Sequence, residues 1–313
     1  MLKLTARRLA MSVPLVLVAT FFAFLLEWIV PGDAALTIGG TNATPAEYAA
    51  LRAKLGLNRP LLTQYWSWLD GAVHGNLGTS IFTGQSVTSE LSARLPVTLS
   101  LVVCSAVVCA IVGTLLGTLS ALRRGVIGRA MDAVSVVGLA LPSFWVGLVL
   151  ISVFAVEFRI FPATGYTALD TSPAQWARGL VLPVAALALG GITYIAKQTR
   201  DSMLEVLNRD FIRALRASGI STARIIWRHA LKNAAIPVVT VLGIVIVASL
   251  SGTVLVEAVF DLPGLGSLAE QATQQHDLPV LEGIVLYFTL ITVAVNLIVD
   301  LTYGWLNPKV RVK

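Results

Sequence analysis

The stretch AIPVVTVLGIVIVASLSGTVLVEAVF, residues 235–260, contains a single ionisable residue, Glu257. Crossing the hydrocarbon layer of a membrane, about 30 Å thick, takes about 20 mostly apolar helical residues. A helix is required because every backbone N–H and C=O group must find its partner within the segment. Residues 235–260 are long enough, and they are therefore predicted to form a membrane-spanning helix.

The whole chain has the composition of an integral membrane protein. Hydrophobic residues make up 56% of its 313 residues and charged residues only 13%, whereas a soluble domain has about 25% charged residues. Five further segments are long and apolar enough to span. We predict an all-α polytopic fold with six transmembrane helices, over residues 9–30, 97–122, 133–158, 179–196, 235–260 and 281–306.

The distribution of positive charge predicts the orientation. Cytoplasmic loops of membrane proteins carry an excess of Lys and Arg. With six spans, most of the chain's 23 Lys and Arg residues fall on the side that holds both termini. We therefore expect both termini in the cytoplasm. Topology and anionic lipid then account for the net charge of +6, and no nucleic-acid partner is expected.

Residues 31–96 form an insertion that is too polar to span a membrane and too aromatic to be disordered. Residues 46–55 are predicted to form a helix, with Thr44 as N-cap and Pro45 at the first helical position. Residues 61–69 are predicted to form a second helix, with aromatic residues of the kind found at a membrane interface. These aromatic residues are Tyr65, Trp66 and Trp68. We interpret the insertion as an extracytoplasmic subdomain.

Glycine and proline residues mark two features of the predicted spans. Gly113 and Gly117 form a GxxxG pattern, which either lets another helix approach closely or has no special role. Pro142 and Pro183 each lack a backbone N–H group, so each is expected to bend its span.

Just before residues 235–260, the chain has the opposite character. The segment RDFIRALRASGISTARIIWRHALKNAAIP, residues 209–237, carries a basic residue every three or four positions. A helix over residues 208–218 would place Arg209, Arg213 and Arg216 on one stripe beside an apolar face.

Gly219 is typical of the residue that follows a helix end, because glycine adopts positive φ without a Cβ clash. Ser221 is then expected to cap a second short helix that runs to about Asn233, before Pro237 opens the next span. Two interpretations fit this pattern. The segment rests on anionic lipid, or a soluble protein docks on it.

The run ALRASGISTARIIWRHALKNAAIPVV, residues 214–239, resembles the EAA loop of the permease subunits of bacterial ABC importers. The general pattern has Glu-Ala-Ala, three residues, a glycine, nine residues and then Ile-x-Leu-Pro. Ala214 and Gly219 match the first alanine and the glycine, and Leu231 matches the leucine. The residues that depart from the pattern are Arg213, Leu215, His229 and Lys232.

These departures are typical of the branch of the family that imports dipeptides, oligopeptides and nickel, in which an Arg-His-Ala-Leu run is usual. Other segments resemble the same branch, in the same order along the chain: GNLGTS, RLPVTLSL, ALPSF, FPATGY, VFDLPGLG and NPKVR. The resemblance covers nearly the whole chain and implies a single permease domain over residues 1–313.

The resemblance also implies a multi-pass protein of the bacterial inner membrane that works with other subunits. A second, similar permease chain would share the pathway. Two cytoplasmic ATPase subunits would bind ATP and Mg, and an extracytoplasmic substrate-binding protein would deliver the substrate. This chain would bind no cofactor. We expect short peptides as cargo, with a nickel chelate or haem as the alternative.

Residues 200–234, here called the coupling segment, would insert into a groove on the ATPase and transmit its movement to the spans. The residues expected at this contact are Arg213, Ala214, Leu215, Ala217, Gly219, His229 and Leu231.

Two further sets of residues are candidates on the transport pathway. Glu257 and Asp261 lie near the outer end of the span 235–260, where they would meet the binding protein or the amino group of a substrate. The alternative is that both are solvated charges. The residues expected to line the pathway are Ser143, Phe144, Ser249 and Asn296.

The sequence gives little support to an enzyme. It contains no GxxxxGK[ST] phosphate loop, no HExxH and no GxSxG motif. Its histidines, His74, His229 and His276, are far apart in sequence and on opposite sides of the predicted membrane, so no metal site is expected. The alternative to an importer subunit is a secondary transporter or channel acting alone. Such proteins usually keep ionisable groups or broken helices near the membrane midplane.

Overall fold

A computed structural model describes residues 2–29, 34–40, 43–122, 138 and 140–306. Within these ranges the regular structure is helical, apart from one isolated bridge between Thr79 and Ser86. The helices are α1 (Leu2–Ile29), α2 (Ala34–Gly39), α3 (Pro45–Lys54), α4 (Leu61–Val73), α5 (Val87–Leu122), α6 (Ser143–Glu157), α7 (Pro173–Leu207), α8 (Asp210–Ala217), α9 (Thr222–Phe260), α10 (Leu265–Gln275) and α11 (Leu278–Leu306). Three of them contain a π-helical stretch: Cys109–Gly113 in α5, Ile151–Glu157 in α6 and Ile225–Ala230 in α9.

Five helices in the described ranges are long and apolar enough to cross a membrane. They contain the spans Thr5–Ile29, Val87–Leu122, Pro173–Leu207, Thr222–Phe260 and Leu278–Trp305. Each overlaps one of the predicted spans. The remaining predicted span, residues 133–158, lies partly outside the described residues, and its described part is the shorter apolar helix α6. The count of six stays a prediction.

The two prolines of the predicted spans behave differently. Pro183 lies inside the continuous helix α7. Pro142 directly precedes α6, in extended backbone with ψ of 137°. Pro142 therefore lies at the start of α6, and most of its predicted span before residue 140 is outside the described residues.

The chain divides into two compact units. The first unit holds Leu99–Leu262 together with Met1–Leu2 and Ala294–Lys313, and the second holds Lys3–Thr98 and Pro263–Val293.

In the first unit, α5 and α7 approach closely through glycine. A Cβ atom placed on Gly117 would lie 2.3 Å from the carbonyl oxygen of Ala196, and one on Gly113 would lie 2.7 Å from the Cβ of Ile195. Only glycine leaves room for backbones this close. The helix-packing interpretation of the GxxxG pattern is therefore confirmed.

In the second unit, α4 packs on α1 through aromatic side chains. Tyr65 is 4% exposed and stands edge-on to the rings of Phe21 and Phe24. Its hydroxyl donates to the carbonyl of Leu17 at 3.0 Å. Tyr65 thus packs against a neighbouring helix, and its predicted place at the membrane interface stays a prediction. Trp66 is the exposed aromatic residue of α4.

The start of α3 follows the prediction closely. Thr44 is the N-cap and Pro45 the first helical residue. The N–H of Glu47 donates to the Thr44 hydroxyl at 3.3 Å, and the N–H of Thr44 donates to the Glu47 carboxylate at 2.8 Å. This reciprocal pair is a capping box.

The insertion packs against a distant part of the sequence within the second unit. Val87 and Leu91 belong to one buried cluster with Leu265 and Leu268. Asp277 accepts hydrogen bonds from the Ser80 hydroxyl at 2.5 Å and from the N–H of Ile81 at 3.3 Å. Residues 263–293 are therefore part of the structure that the insertion needs.

Candidate functional site

The coupling segment contains a short helix, α8, which ends as the sequence predicts. Gly219 has φ of +75°. Its N–H donates to the carbonyl of Arg216 at 3.0 Å, and the N–H of Ile220 donates to that of Leu215 at 3.2 Å. This pair of bonds is a Schellman motif, which satisfies carbonyls that a helix end leaves free. The turn after α8 is therefore held by backbone bonds.

One face of α8 packs on the adjoining ends of α7 and α9. Ile212 of α8 and Ile225 of α9 are almost fully buried, beside Met203 and Val206 of α7. Burying a side chain of this size stabilises a fold by about 1.5–3 kcal/mol. The helix α8 is thus attached to the ends of two long helices, and a displacement of α8 is expected to move them.

The opposite face of α8 is exposed and carries small and basic residues. Arg213, Ala214, Ala217 and Gly219 are all exposed. Small residues let another backbone approach this face closely.

Two of the predicted contact residues belong to the buried face that packs on α7 and α9, and not to the exposed face. Leu215 and Leu231 are half-buried and pack on the apolar cluster around Ile212. His229 is half-buried in the π-helical stretch of α9, and its carbonyl accepts a hydrogen bond from the Asn233 amide at 2.7 Å.

Sequence reasoning missed two aromatic residues in this region. Trp227 is 53% exposed and Phe211 is 38% exposed. Large exposed apolar side chains are enriched at protein contacts. The signal was present in the sequence as apolar residues among basic ones, but the helix pattern alone did not separate exposed from anchoring side chains.

The basic stripe is partly neutralised by neighbouring carboxylates. The Arg209 guanidinium lies 2.5 Å from the carboxylate of Glu205, and that of Arg213 lies 3.2 Å from the carboxylate of Asp210. Exposed pairs of this kind contribute about 0–1 kcal/mol. They therefore orient the side chains more than they stabilise the helix.

The separate second helix predicted after Ser221 is wrong. Ser221 precedes α9 as expected, although its side chain makes no capping bond within the described part of the chain. The helix does not stop near Asn233 but continues through Pro237 to Phe260. The prediction failed because helices in membranes tolerate proline, whose missing bond is made good locally.

Glu257 and Asp261 do not share an exposed surface. Glu257 is fully buried, so the solvated alternative is wrong for this residue. Asp261 is exposed and caps α9 in the left-handed region, with φ of +50°. The helix ends at Asp261, where the N–H of Leu262 donates to the carbonyl of Glu257 at 2.9 Å, so Glu257 lies within the last turn and Asp261 at the cap.

The four candidate pathway residues lie in the first unit. Ser143 is half-buried in the first turn of α6, and its hydroxyl would lie 3.9 Å from a Cβ on Gly252 of α9. Phe144 is exposed beside it. On α9, the Ser249 hydroxyl donates to its own helix, to the carbonyl of Val245 at 2.8 Å. Asn296 is exposed on α11.

Comparison with known proteins covers the whole chain. Residues 113–312 match the family described as binding-protein-dependent transport system inner membrane component, and residues 1–102 match the N-terminal family of the same components. A protein of Sinorhizobium fredii (strain NBRC 101917 / NGR234), named "probable peptide ABC transporter permease protein", is 39% identical over 97% of this chain and 98% of its own.

Two further relatives are named for their cargo. The di/tripeptide transport system permease protein of Pseudomonas aeruginosa (strain UCBPP-PA14) is 35% identical over 99% of both chains. The dipeptide transport system permease protein of Escherichia coli (strain K12) is 35% identical over 100% of both chains.

One solved structure, of the methionine ABC transporter MetNI in inward-facing conformations, superposes with a TM-score of 0.57 at 18% identity, over 69% of this chain and 96% of that one. At this identity the likeness concerns the fold alone.

Proposed function

The chain belongs to the family of binding-protein-dependent transport system inner membrane components, and from this we propose that it is the permease subunit of an ATP-driven importer of short peptides. The observation that carries the proposal is the full-length match, at 35–39% identity, to permeases named for peptides or dipeptides. A nickel chelate or haem remains the alternative cargo. A transporter acting alone is not favoured by these relatives.

In this proposal the coupling segment docks on a cytoplasmic ATPase subunit. Its exposed face, with Ala214, Ala217 and Gly219, enters a groove, and Trp227 packs at the edge of the contact. Its buried face, through Ile212, passes the movement to α7 and α9. ATP and Mg are bound by two ATPase subunits, and this chain holds neither.

Transport then follows from alternation between two arrangements of the spans. A second permease chain completes the pathway, and an extracytoplasmic binding protein delivers the peptide. ATP binding favours one arrangement because the docked segment has different contacts in each state. A ligand can shift such an equilibrium only by its difference in affinity for the two states. The docked segment must therefore be firmly attached to the spans, so that its contacts with the ATPase differ between the two arrangements.

Co-purification with an Ala214→Asp variant tests the docking surface. Tagged wild-type chain, extracted gently from its own membrane, is expected to bring an ATPase and a second permease with it. An aspartate on the exposed face buries a charge in the groove, so the variant should lose the ATPase and peptide uptake, but stay in the membrane. The matched control is Ala49→Asp, on the exposed face of α3, which should keep the ATPase.

Gly219→Pro provides a second test of the same surface. Proline cannot adopt φ of +75° and would remove the turn after α8, so uptake should be lost while membrane insertion remains. Normal uptake in this variant would contradict the docking proposal. Wild-type chain that purifies alone, binds anionic vesicles and moves peptide without ATP would contradict the importer itself.

A further inference from the structure

A pocket of about 280 Å³ opens within the second unit. It lies between the end of α1, the helices α2 to α4 and the residues that join α10 to α11. Its lining is mixed: apolar residues such as Phe24, Trp28 and Leu61 share it with polar and charged residues. Ligand sites are typically apolar cavities of about 300–1,000 Å³ with a few convergent polar groups. This pocket is slightly smaller than that range.

A carboxylate forms one pole of the pocket. Glu27, at the end of α1, accepts a hydrogen bond from Nδ1 of His276 at 2.8 Å, and the two side chains are only 17% and 19% exposed. His276 is held in the left-handed region, with φ of +55°, next to Asp277, which is itself bonded to Ser80. The Glu27 carboxylate is thus positioned from two distant parts of the chain.

A guanidinium group also lines the pocket. Arg52 of α3 is half-buried, and its guanidinium carbon lies 5.7 Å from the centre of the Tyr48 ring. One guanidinium nitrogen lies 3.5 Å from the Tyr48 hydroxyl. Stacking on an aromatic ring restricts the orientation of a guanidinium group. Arg52 therefore reaches the pocket as an oriented cation.

We propose that this pocket binds a small zwitterion with apolar side chains, of the class of dipeptides of apolar residues. The ammonium group would bind Glu27, the carboxylate would bind Arg52, and the apolar residues of the lining would cover the side chains. The volume limits the ligand to about one or two residues. This goes beyond the proposed function, which assigns capture of the peptide to a separate protein, and rests on it only for the choice of a dipeptide as probe.

Equilibrium dialysis of the full chain in lipid nanodiscs, with radiolabelled leucyl-leucine and no other protein present, tests the proposal. Saturable binding is expected. N-acetyl-leucyl-leucine amide has the same side chains and no charge. Its affinity should be lower by a factor of about ten or more, because each charge-assisted hydrogen bond is lost. Equal binding of the two probes, or no saturable binding of leucyl-leucine, would overturn the proposal without any mutation.

Matched variants locate the site. Glu27→Gln and Arg52→Gln should each weaken leucyl-leucine binding about tenfold. Asp70→Asn and Lys54→Gln change exposed residues of the same unit, outside the pocket lining, and should bind as wild type does. Binding that survives both pocket variants would place the ligand elsewhere and overturn the assignment.

The outcome is separable from that of the proposed function. Uptake by the assembled importer, together with no binding by the isolated chain, would contradict only the pocket. Binding by the isolated chain, together with no ATP-dependent uptake, would contradict only the importer.

Discussion

Glu282 is fully buried in α11, and neither of its carboxylate oxygens has a hydrogen-bond partner among the residues that the structure describes. A buried polar group without a partner costs about 1–3 kcal/mol. Because the side chain is enclosed by its own chain, a partner subunit cannot readily supply the missing bond.

We therefore expect Glu282→Met, which keeps the length of the side chain, to raise the free energy of unfolding by about 1–3 kcal/mol. The measurement is the Tm of the purified chain in detergent. Glu270→Met is the control, because Glu270 is exposed and its replacement should leave the Tm nearly unchanged. A lower Tm for Glu282→Met would mean that the carboxyl group makes a stabilising contact. Loss of uptake with a raised Tm would show that the carboxyl group serves transport.

Replacing either of two glycines of the first unit by alanine should change the stability of the fold, in opposite directions. At Gly117 a Cβ would lie 2.3 Å from a backbone oxygen of α7, which cannot move alone, so Gly117→Ala should destabilise by about 1–3 kcal/mol. At Gly190, within α7, a Cβ would meet no described atom within 4 Å, so Gly190→Ala should stabilise by up to about 1 kcal/mol. Thermal unfolding of both variants checks the pair, and equal shifts would contradict the close approach.

For single residues, the sequence predicts those features that depend on local chemistry. Thr44 and Gly219 were predictable because a cap and a helix end depend on a few neighbouring residues. The burial of Tyr65 and Glu257 was not, because it depends on side chains brought from distant segments.

Among the helices, the stability of the first turn of α3 should depend on pH. Two hydrogen bonds lower the pKa of Glu47 below its ordinary value of 4.5: the bond from the N–H of Thr44 has the larger effect, and the bond from the Thr44 hydroxyl has the smaller. A carboxyl group with a lowered pKa in the fold contributes stability above its ordinary pKa and loses it as the pH falls through the lowered value. The first turn of α3 should therefore loosen only in acid below pH 4.5.

Amide hydrogen exchange of residues 43–50, measured from pH 3 to pH 6 and corrected for the intrinsic pH dependence of exchange, tests this expectation. Protection should fall at the acid end. Glu47→Gln should show less change across the range, because glutamine has no charge to lose. The same loss of protection in wild type and variant would exclude the capping box as its cause.

Hydropathy located the long helices but not their ends. The helix α7 was expected over residues 179–196 and runs from Pro173 to Leu207, while α9 begins well before its apolar part, at Thr222. The extra turns are polar, and a window that measures hydrophobicity cannot see them. The extra turns at residues 197–207 and 222–234 adjoin α8, the helix of the proposed docking surface.

For the whole molecule, the central question is whether α6 crosses the membrane, because that decides on which side α8 lies. With six spans, residues 58 and 170 are outside and residue 218 is inside. If α6 does not cross, residue 170 is inside and residue 218 is outside. The two topologies thus differ at two exposed positions.

Single cysteines at Asn58, Asp170 and Ser218, in a chain with Cys104 and Cys109 replaced by serine, distinguish these cases. An impermeant thiol reagent should label the first two in intact cells and the third only after permeabilisation. The cysteine-free chain is the control. Labelling of position 218 in intact cells would overturn the orientation and, with it, the docking proposal.

The arrangement into two units was beyond sequence reasoning. Residues 31–96 stood out by composition, but nothing in the pattern indicated that residues 263–293 would pack with them. Contacts between segments this far apart leave no periodic signal in one sequence.

The continuity of α9 has a consequence for how such chains can change in evolution. Its 39 residues form one helix about 58 Å long, and each residue adds about 1.5 Å and about 100° of rotation. Losing or gaining one residue between Trp227 and Phe260 would turn the coupling segment to a different side of the helix. Length differences among descendants of this chain should therefore accumulate in stretches such as residues 158–172, while the residue count within α9 is inherited unchanged.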